Sequence, residues 1–112
     1  MMNNNDILLM YIQYDDPRRG KPRPALVIKR KDETLSMLMI TSKPGNSEAV
    51  RHSRYKIKRW KEAGLTKPSY IRVDRVYEVL MFGLTYRFLG RLSKEDAMRL
   101  NTFRNSYEQH IQ

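Results

Sequence analysis

The sequence predicts a mainly β domain, an antiparallel barrel or sandwich of short strands with a single helix at its C-terminal end. Short apolar runs of strand length recur from Ile7 to Leu80, bounded by proline, glycine or charged turn residues. Apolar residues return at helical spacing only after Ser93. The chain has 112 residues, 40% of them hydrophobic, which is enough for one core with little to spare. With no repeat and no low-complexity linker to divide it, one domain covering residues 1–112 is expected.

In chain order, Met1 to Asn5 reads as a polar lead-in and Ile7 to Tyr14 as a strand partly buried on both faces. Asp15 to Pro24 is loop chemistry, with Pro17, Gly20, Pro22 and Pro24 among basic residues. Pro24 has no N–H to give a ladder, so the next strand should start there and run through Ala25, Leu26, Val27 and Ile28. Lys31, Asp32 and Glu33 form a polar hairpin turn, and Leu35 to Thr41 returns as a third strand. Lys43 to Arg54, with Pro44, Gly45, Asn46 and Ser47, is expected to be a mobile, irregular excursion. Tyr55 to Ile57 is a short strand, and Arg59 to Ala63 one helical turn stopped by Gly64, with Pro68 closing the segment. Tyr70 to Leu80 reads as one strand, with Ile71, Val73, Tyr77 and Val79 on one face and Arg72 and Asp74 on the other. The last segment is a helix. Ser93 is its N-cap, and Asp96 stands where a capping box usually has Glu or Gln. Ala97, Leu100, Phe103, Tyr107 and Ile111 make an apolar stripe for docking on the sheet.

The 22 Lys and Arg residues against 12 Asp and Glu give a net charge of +10, and the pI is near 10.1. On so small a body this favours a polyanionic partner, without separating RNA, DNA, an acidic protein or lipid headgroups. Cysteine is absent, which excludes disulfides and thiolate metal sites. The run Ile7 to Ile12 is too short to span a bilayer, and the polar start leads into no signal-like core. A cytoplasmic protein with no membrane partner is expected. His52 and His110 lack metal-ligand spacing and read as surface residues, and the scattered carboxylates argue against a two-metal nuclease. There is no Gly-rich phosphate loop and no nucleophile elbow. Neither a metal site nor a cofactor is expected.

RNA cleavage needs none of these, because the ribose 2′-OH is itself the nucleophile. The protein must help remove its proton, protonate the leaving 5′-oxygen and stabilise charge on the phosphorane. Asp74 can take the proton. Arg72 can offset phosphate charge with its guanidinium fork, and its ordinary pKa, above about 12, suits that role better than proton donation. On pattern alone, the pair reads first as a cross-strand ion pair of small stabilising value. Arg23 reads equally as a loop arginine between two prolines, and Thr41 and Ser42 as the end of a strand. Arg18, Arg19, Lys21 and Arg23 crowd the first loop, and Lys43, Arg51 and Arg54 the second. If these loops share one side, they make a positive groove for a single strand. Tyr55, Trp60 and Tyr70 are candidate stacking faces, with Trp60 and Tyr70 equally candidates for packing.

Several pieces, in order, resemble the PemK/MazF family of type II toxins. Asp6-Ile7-Leu8 resembles the family's opening Gly-Asp-Ile strand, with Asn5 in place of the glycine. Pro22-Arg23-Pro24-Ala25-Leu26-Val27-Ile28 is similar to its Arg-Pro-Ala-Leu-Val-Ile strand, and Ile40-Thr41-Ser42 to the hydroxyl-bearing end of its third strand. Ile71-Arg72-Val73-Asp74 resembles its Val-Arg-x-Asp strand, and Leu89-Gly90-Arg91-Leu92-Ser93 the run into its last helix. The resemblance implies an SH3-like β-barrel with a C-terminal helix, working as a homodimer. It also implies metal-independent cleavage of single-stranded RNA, often at a short sequence, by a toxin restrained by an antitoxin whose acidic tail fills the RNA groove. Arg23 and Thr41 match positions implicated in MazF-like members, and Ser42, Arg72 and Asp74 positions implicated in PemK-like ones. The chain departs from the family in its short first loop, which lacks a histidine used by some members, and in a longer insert from Arg51 to Pro68.

A competing class is a non-catalytic binder on the same barrel, either a gyrase poison of the CcdB type or an RNA-binding module. Retention of Arg23, Thr41, Arg72 and Asp74 together favours the nuclease, since a pure binder has no need of all four.

Overall fold

The computed structural model describes residues 2–11 and 22–110. Ile12 to Tyr14, the loop carrying Arg18, Arg19 and Lys21, the side chain of His110, and Ile111 lie outside the described residues. The elements are β1 (Asp6–Tyr11), β2 (Pro22–Lys31), β3 (Thr34–Thr41), α1 (Glu48–His52), β4 (Arg54–Lys56), β5 (Tyr70–Arg72), β6 (Tyr77–Leu80), β7 (Tyr86–Arg91) and α2 (Lys94–His110). The strands form one seven-stranded sheet in the order β4-β5-β3-β2-β1-β7, with β6 also paired to β3. This is the expected mainly β architecture with a C-terminal helix. Among the described residues, no ladder joins the ends of that path into a closed ring.

Register explains why β1 and β2 read as unbroken apolar runs. Ile7 lies opposite Leu26 and Leu26 opposite Leu38, while Leu8 lies opposite Ala25 and Ala25 opposite Met39. Because partners directly opposite share a face, each strand contributes to two cores. Ile7, Leu26, Leu38 and Ile40 pack with Tyr55, Ile57, Ile71, Leu92 and Leu100 on one side. Leu8, Met10, Ala25, Val27, Met37 and Met39 pack on the other, where Tyr77 and Val79 lean against them. Asp32 turns the β2–β3 hairpin at a φ of 54°, a conformation that Asp tolerates.

Helix α2 is held by its stripe and by one carboxylate. Ala97, Leu100, Phe103 and Tyr107 meet the first core, and Phe103 sets its ring edge-on to Tyr55 at 5.8 Å. The Ser93 cap is as expected, its Oγ accepting the Asp96 N–H at 3.1 Å. Asp96 does more than complete a cap. Fully buried, it accepts the Tyr55 hydroxyl at 2.6 Å, the Lys58 N–H at 3.0 Å, the Arg59 N–H at 2.9 Å and the Ser93 hydroxyl at 3.1 Å. Burial alone would raise its pKa. The bonds from Tyr55, Arg59, Lys58 and Ser93 outweigh that and hold the carboxyl below its ordinary value. Burial, together with the Asp96 charge, pushes the Tyr55 hydroxyl well above its ordinary range.

Four expectations need correction. Tyr70 to Leu80 is two strands, not one. From Ile40↔Ile71 to Met37↔Tyr77, β3 advances three residues while its partner advances six. An odd excess turns the side chains over, so Ile71 and Val73 enter the first core while Tyr77 and Val79 enter the second. Asp74 therefore lies in the excess between strands rather than on one strand with Arg72. Second, the excursion from Lys43 to Arg54 contains α1, capped by the Ser47 hydroxyl accepting the Val50 N–H at 3.2 Å. Third, β7 had no counterpart among the predicted strands. Fourth, Tyr55 is buried in the first core and cannot serve as a stacking face.

Candidate active site

Where β2 begins and β3 ends, the surface opens into a pocket of about 430 Å³. Arg23, Thr41, Ser42 and Lys43 line it. Gly64, Leu65, Thr66, Lys67 and Ser69 from the segment between β4 and β5 line it as well, and Leu9, Pro24, Ile40, Arg87 and Leu89 complete the lining. The Thr41 hydroxyl oxygen accepts the Lys43 N–H at 3.2 Å, and among the described residues its own hydrogen has no acceptor. Four cations, Arg23, Lys43, Lys67 and Arg87, share this lining with an apolar set drawn from four strands and the segment between β4 and β5.

Arg72 and Asp74 do not line the pocket; Arg72 ends β5 and Asp74 follows it beyond the strand. Thr41 pairs with Tyr70 across β3 and β5, and Tyr70 with Lys56 across β5 and β4. In the adjoining row Arg72 pairs with Arg54. Thr41, Tyr70, Lys56, Arg72 and Arg54 therefore share one face, with Arg72 diagonal to Thr41. Such a diagonal spans about 7–8 Å between backbones, within reach of an arginine. The β2–β3 register, carried on from Ala25↔Met39, puts Arg23 opposite Thr41 on that same face. The Arg72 Nη2 donates to Asp74 Oδ2 at 3.3 Å, with 36% and 35% of the two side chains exposed. That is a solvated pair of the kind worth about 0–1 kcal/mol to the fold. Arg54 donates from Nη1 to the Lys43 carbonyl at 2.7 Å and so ties β4 to the chain leaving β3. Its Nε is buried with no partner among the described residues.

The other predicted binding residues are dispersed. Arg51 is exposed on α1, where its Nη1 donates to the Gly45 carbonyl at 3.4 Å, and it does not line the pocket. His52 is exposed and lies 3.9 Å from Glu48 one turn back. Trp60 is half-buried against the first core with the Lys61 ammonium over its ring. Arg18, Arg19 and Lys21 lie outside the described residues.

A sequence profile described as the PemK-like, MazF-like toxin of type II toxin–antitoxin systems matches residues 3–103. The chain belongs to this toxin family. Among solved structures, it is similar to the Mycobacterium tuberculosis toxin MazF-mt6, with 17% identity and a TM-score of 0.68 over 92% of this chain and 96% of that one. It is also similar to an endoribonuclease in complex with its cognate antitoxin from a mycobacterial species, with 14% identity and a TM-score of 0.60 over 90% and 87% of the two chains. At these identities the likeness shows the fold, which is MazF-like. A search of curated protein sequences finds no significant match.

Of the residues singled out by the family resemblance, Arg23, Thr41 and Ser42 meet at the pocket, and Arg72 and Asp74 form the adjoining pair. Sequence reasoning missed part of the lining. Leu65, Thr66, Lys67 and Arg87 carry no toxin-family motif and sit far from Thr41 in the chain, and Leu89 enters only as the start of the run into the last helix. Lys67 and Arg87 entered only the charge count. Among the described residues no three His, Asp or Glu side chains gather as cation ligands, and no helix is long and apolar enough to cross a membrane.

Proposed function

We propose that this toxin-family protein is a metal-independent endoribonuclease that cuts single-stranded RNA, messenger RNA included, at selected sequences. The observation that carries this reading is the shared face of Arg23, Thr41 and Arg72, with the Asp74 carboxylate 3.3 Å from the Arg72 guanidinium. Family membership and the fold shared with a protein described as an endoribonuclease support it.

In this reading Asp74 accepts the proton from the 2′-OH as that oxygen bonds to phosphorus. The bond from phosphorus to the 5′-oxygen breaks, leaving a 2′,3′-cyclic phosphate and a free 5′-OH once that oxygen gains a proton. Arg72 and Arg23 offset the charge of the phosphorane, an effect worth about 10²–10³-fold per well-placed donor. The Thr41 hydroxyl donates to a non-bridging oxygen, and Ser42 follows it in the chain. Lys43, Arg54 and Tyr70 line the path of the strand, and Arg18, Arg19 and Lys21 are proposed as further RNA contacts.

The net charge of +10 also suits an acidic antitoxin lying over the same face, and the structural relative solved with its cognate antitoxin is consistent with that. A homodimer is part of the proposal: Phe82, Leu80 and Phe88 around the β6–β7 turn are 89%, 67% and 58% exposed, apolar surface that a second copy would cover. The cytoplasm, where messenger RNA is met, is the proposed location.

The test is cleavage of a mixed single-stranded RNA in EDTA. Cutting that persists in the chelator, with cyclic phosphate ends, supports the proposal. Cutting that requires magnesium contradicts the mechanism, and binding without cutting favours the gyrase-poison or RNA-binding alternative.

A further inference from the structure

We infer that the segment 57–69 is a specificity wall, and that the pocket it closes holds one unstacked base of the RNA next to the phosphate being cut. The inference rests on the endoribonuclease reading and names what that site selects.

Two features of the pocket fit a nucleotide. Its apolar lining comes from Leu9, Pro24, Ile40 and Leu89 of the sheet and from Leu65. Apolar side chains can pack against the faces of an extruded base. Its rim is cationic, from Arg23, Lys43, Lys67 and Arg87, as the phosphates on either side of that base require. A volume of about 430 Å³ lies within the ordinary range for small-molecule sites. Thr41 and Ser42 belong to the same lining, so in this inference the phosphate next to the seated base meets their hydroxyls.

The wall is also fixed, as discrimination between bases demands. At one end Asp96 clamps the Lys58 and Arg59 N–H groups at 3.0 and 2.9 Å. In the middle the segment lies backbone to backbone on β7. A Cβ on Gly64 would stand 2.2 Å from the Leu89 carbonyl oxygen, and one on Gly90 2.2 Å from that of Ala63. Gly64 also holds a φ of +89°, which disfavours any side chain. At the far end the Ile57 N–H donates to the Ser69 carbonyl at 3.0 Å, closing the segment on itself. Leu65 is thus presented from a turn locked at both ends and in the middle.

The experiment maps the ends produced from a randomised RNA pool in EDTA by the full chain and by Leu65→Ala and Leu65→Trp, with unfolding curves to establish that each is folded. The expected result is a change at one position of the cut-site profile. Discrimination there falls about tenfold with Leu65→Ala and shifts toward smaller bases with Leu65→Trp, in keeping with the 10–200-fold that apolar pocket contacts supply. The preferences at the other positions persist. Identical profiles for folded variants and parent overturn the inference while leaving the nuclease reading intact. A parent that cuts nothing overturns both. Variants that keep the parent's profile but lose inhibition by an acidic peptide, poly-glutamate, assign the pocket to a protein partner and overturn the RNA slot.

Discussion

Asp74 and Asp96 are both aspartates facing arginine-rich surroundings, and the structure treats them in opposite ways. Asp96 is fully buried, and its two oxygens accept four bonds, from Tyr55, Lys58, Arg59 and Ser93. Asp74 is a third exposed and, among the described residues, meets a single guanidinium at 3.3 Å. A carboxylate with every acceptor site filled has no capacity left for a substrate proton, and its place is to hold α2 against the sheet. A partly exposed carboxylate beside one guanidinium holds little of the fold together, which suits the proposed role in chemistry. The same contrast separates the two ends of the insert: its start is clamped by Asp96, while its far side opens to solvent at Thr66 and Lys67.

The largest effect expected is on catalysis. Arg72→Ala should lower RNA cutting by about 100-fold or more, measured as initial rates in EDTA, while changing unfolding stability by no more than about 1 kcal/mol. Asp96→Ala should do the reverse. It leaves the Lys58 and Arg59 N–H groups and the Tyr55 hydroxyl without their acceptor, a loss of about 3 kcal/mol or more by urea unfolding.

How legible this was from sequence varied with distance along the chain. The β1–β3 strands and the Ser93 cap depend on neighbours a few residues away, and alternation and capping chemistry reveal them. Asp96 contacts Tyr55 across 41 residues, so the local pattern showed only a variant capping box. The break between β5 and β6 arises because both must fit one edge of β3 while entering different cores, a demand no local period encodes. β7 escaped notice because Tyr86, Arg87 and Phe88 are all exposed, and a strand with no buried alternation gives no signal. The proposed reacting groups were legible through the family resemblance and the rest of the pocket lining was not, since the segment of Leu65 meets the strand of Leu89 only through the close contact of Gly64 with β7.

A smaller effect sharpens the comparison through pH. The Asp96 pKa is depressed in the folded state, so the unfolded chain takes up its proton first as pH falls. The stability this carboxylate supplies is complete above the unfolded value of about 4 and is lost as pH drops from there through the folded value. Unfolding midpoints followed from pH 6 to pH 2 should show this loss in the parent and a shallower one in Asp96→Asn. The smallest effect belongs to the α1 cap. Ser47→Ala should cost about 1 kcal/mol or less, read by thermal unfolding, and leave cutting unchanged, because α1 does not line the pocket.

The most direct measurement pairs Asp74→Asn with Asp96→Asn, determining for each both the cutting rate per folded molecule in EDTA and the free energy of unfolding. The division of roles predicts a rate about 100-fold lower at near-parental stability for the first, and lower stability with a near-parental rate for the second. An Asp74→Asn protein that cuts as fast as the parent would contradict it.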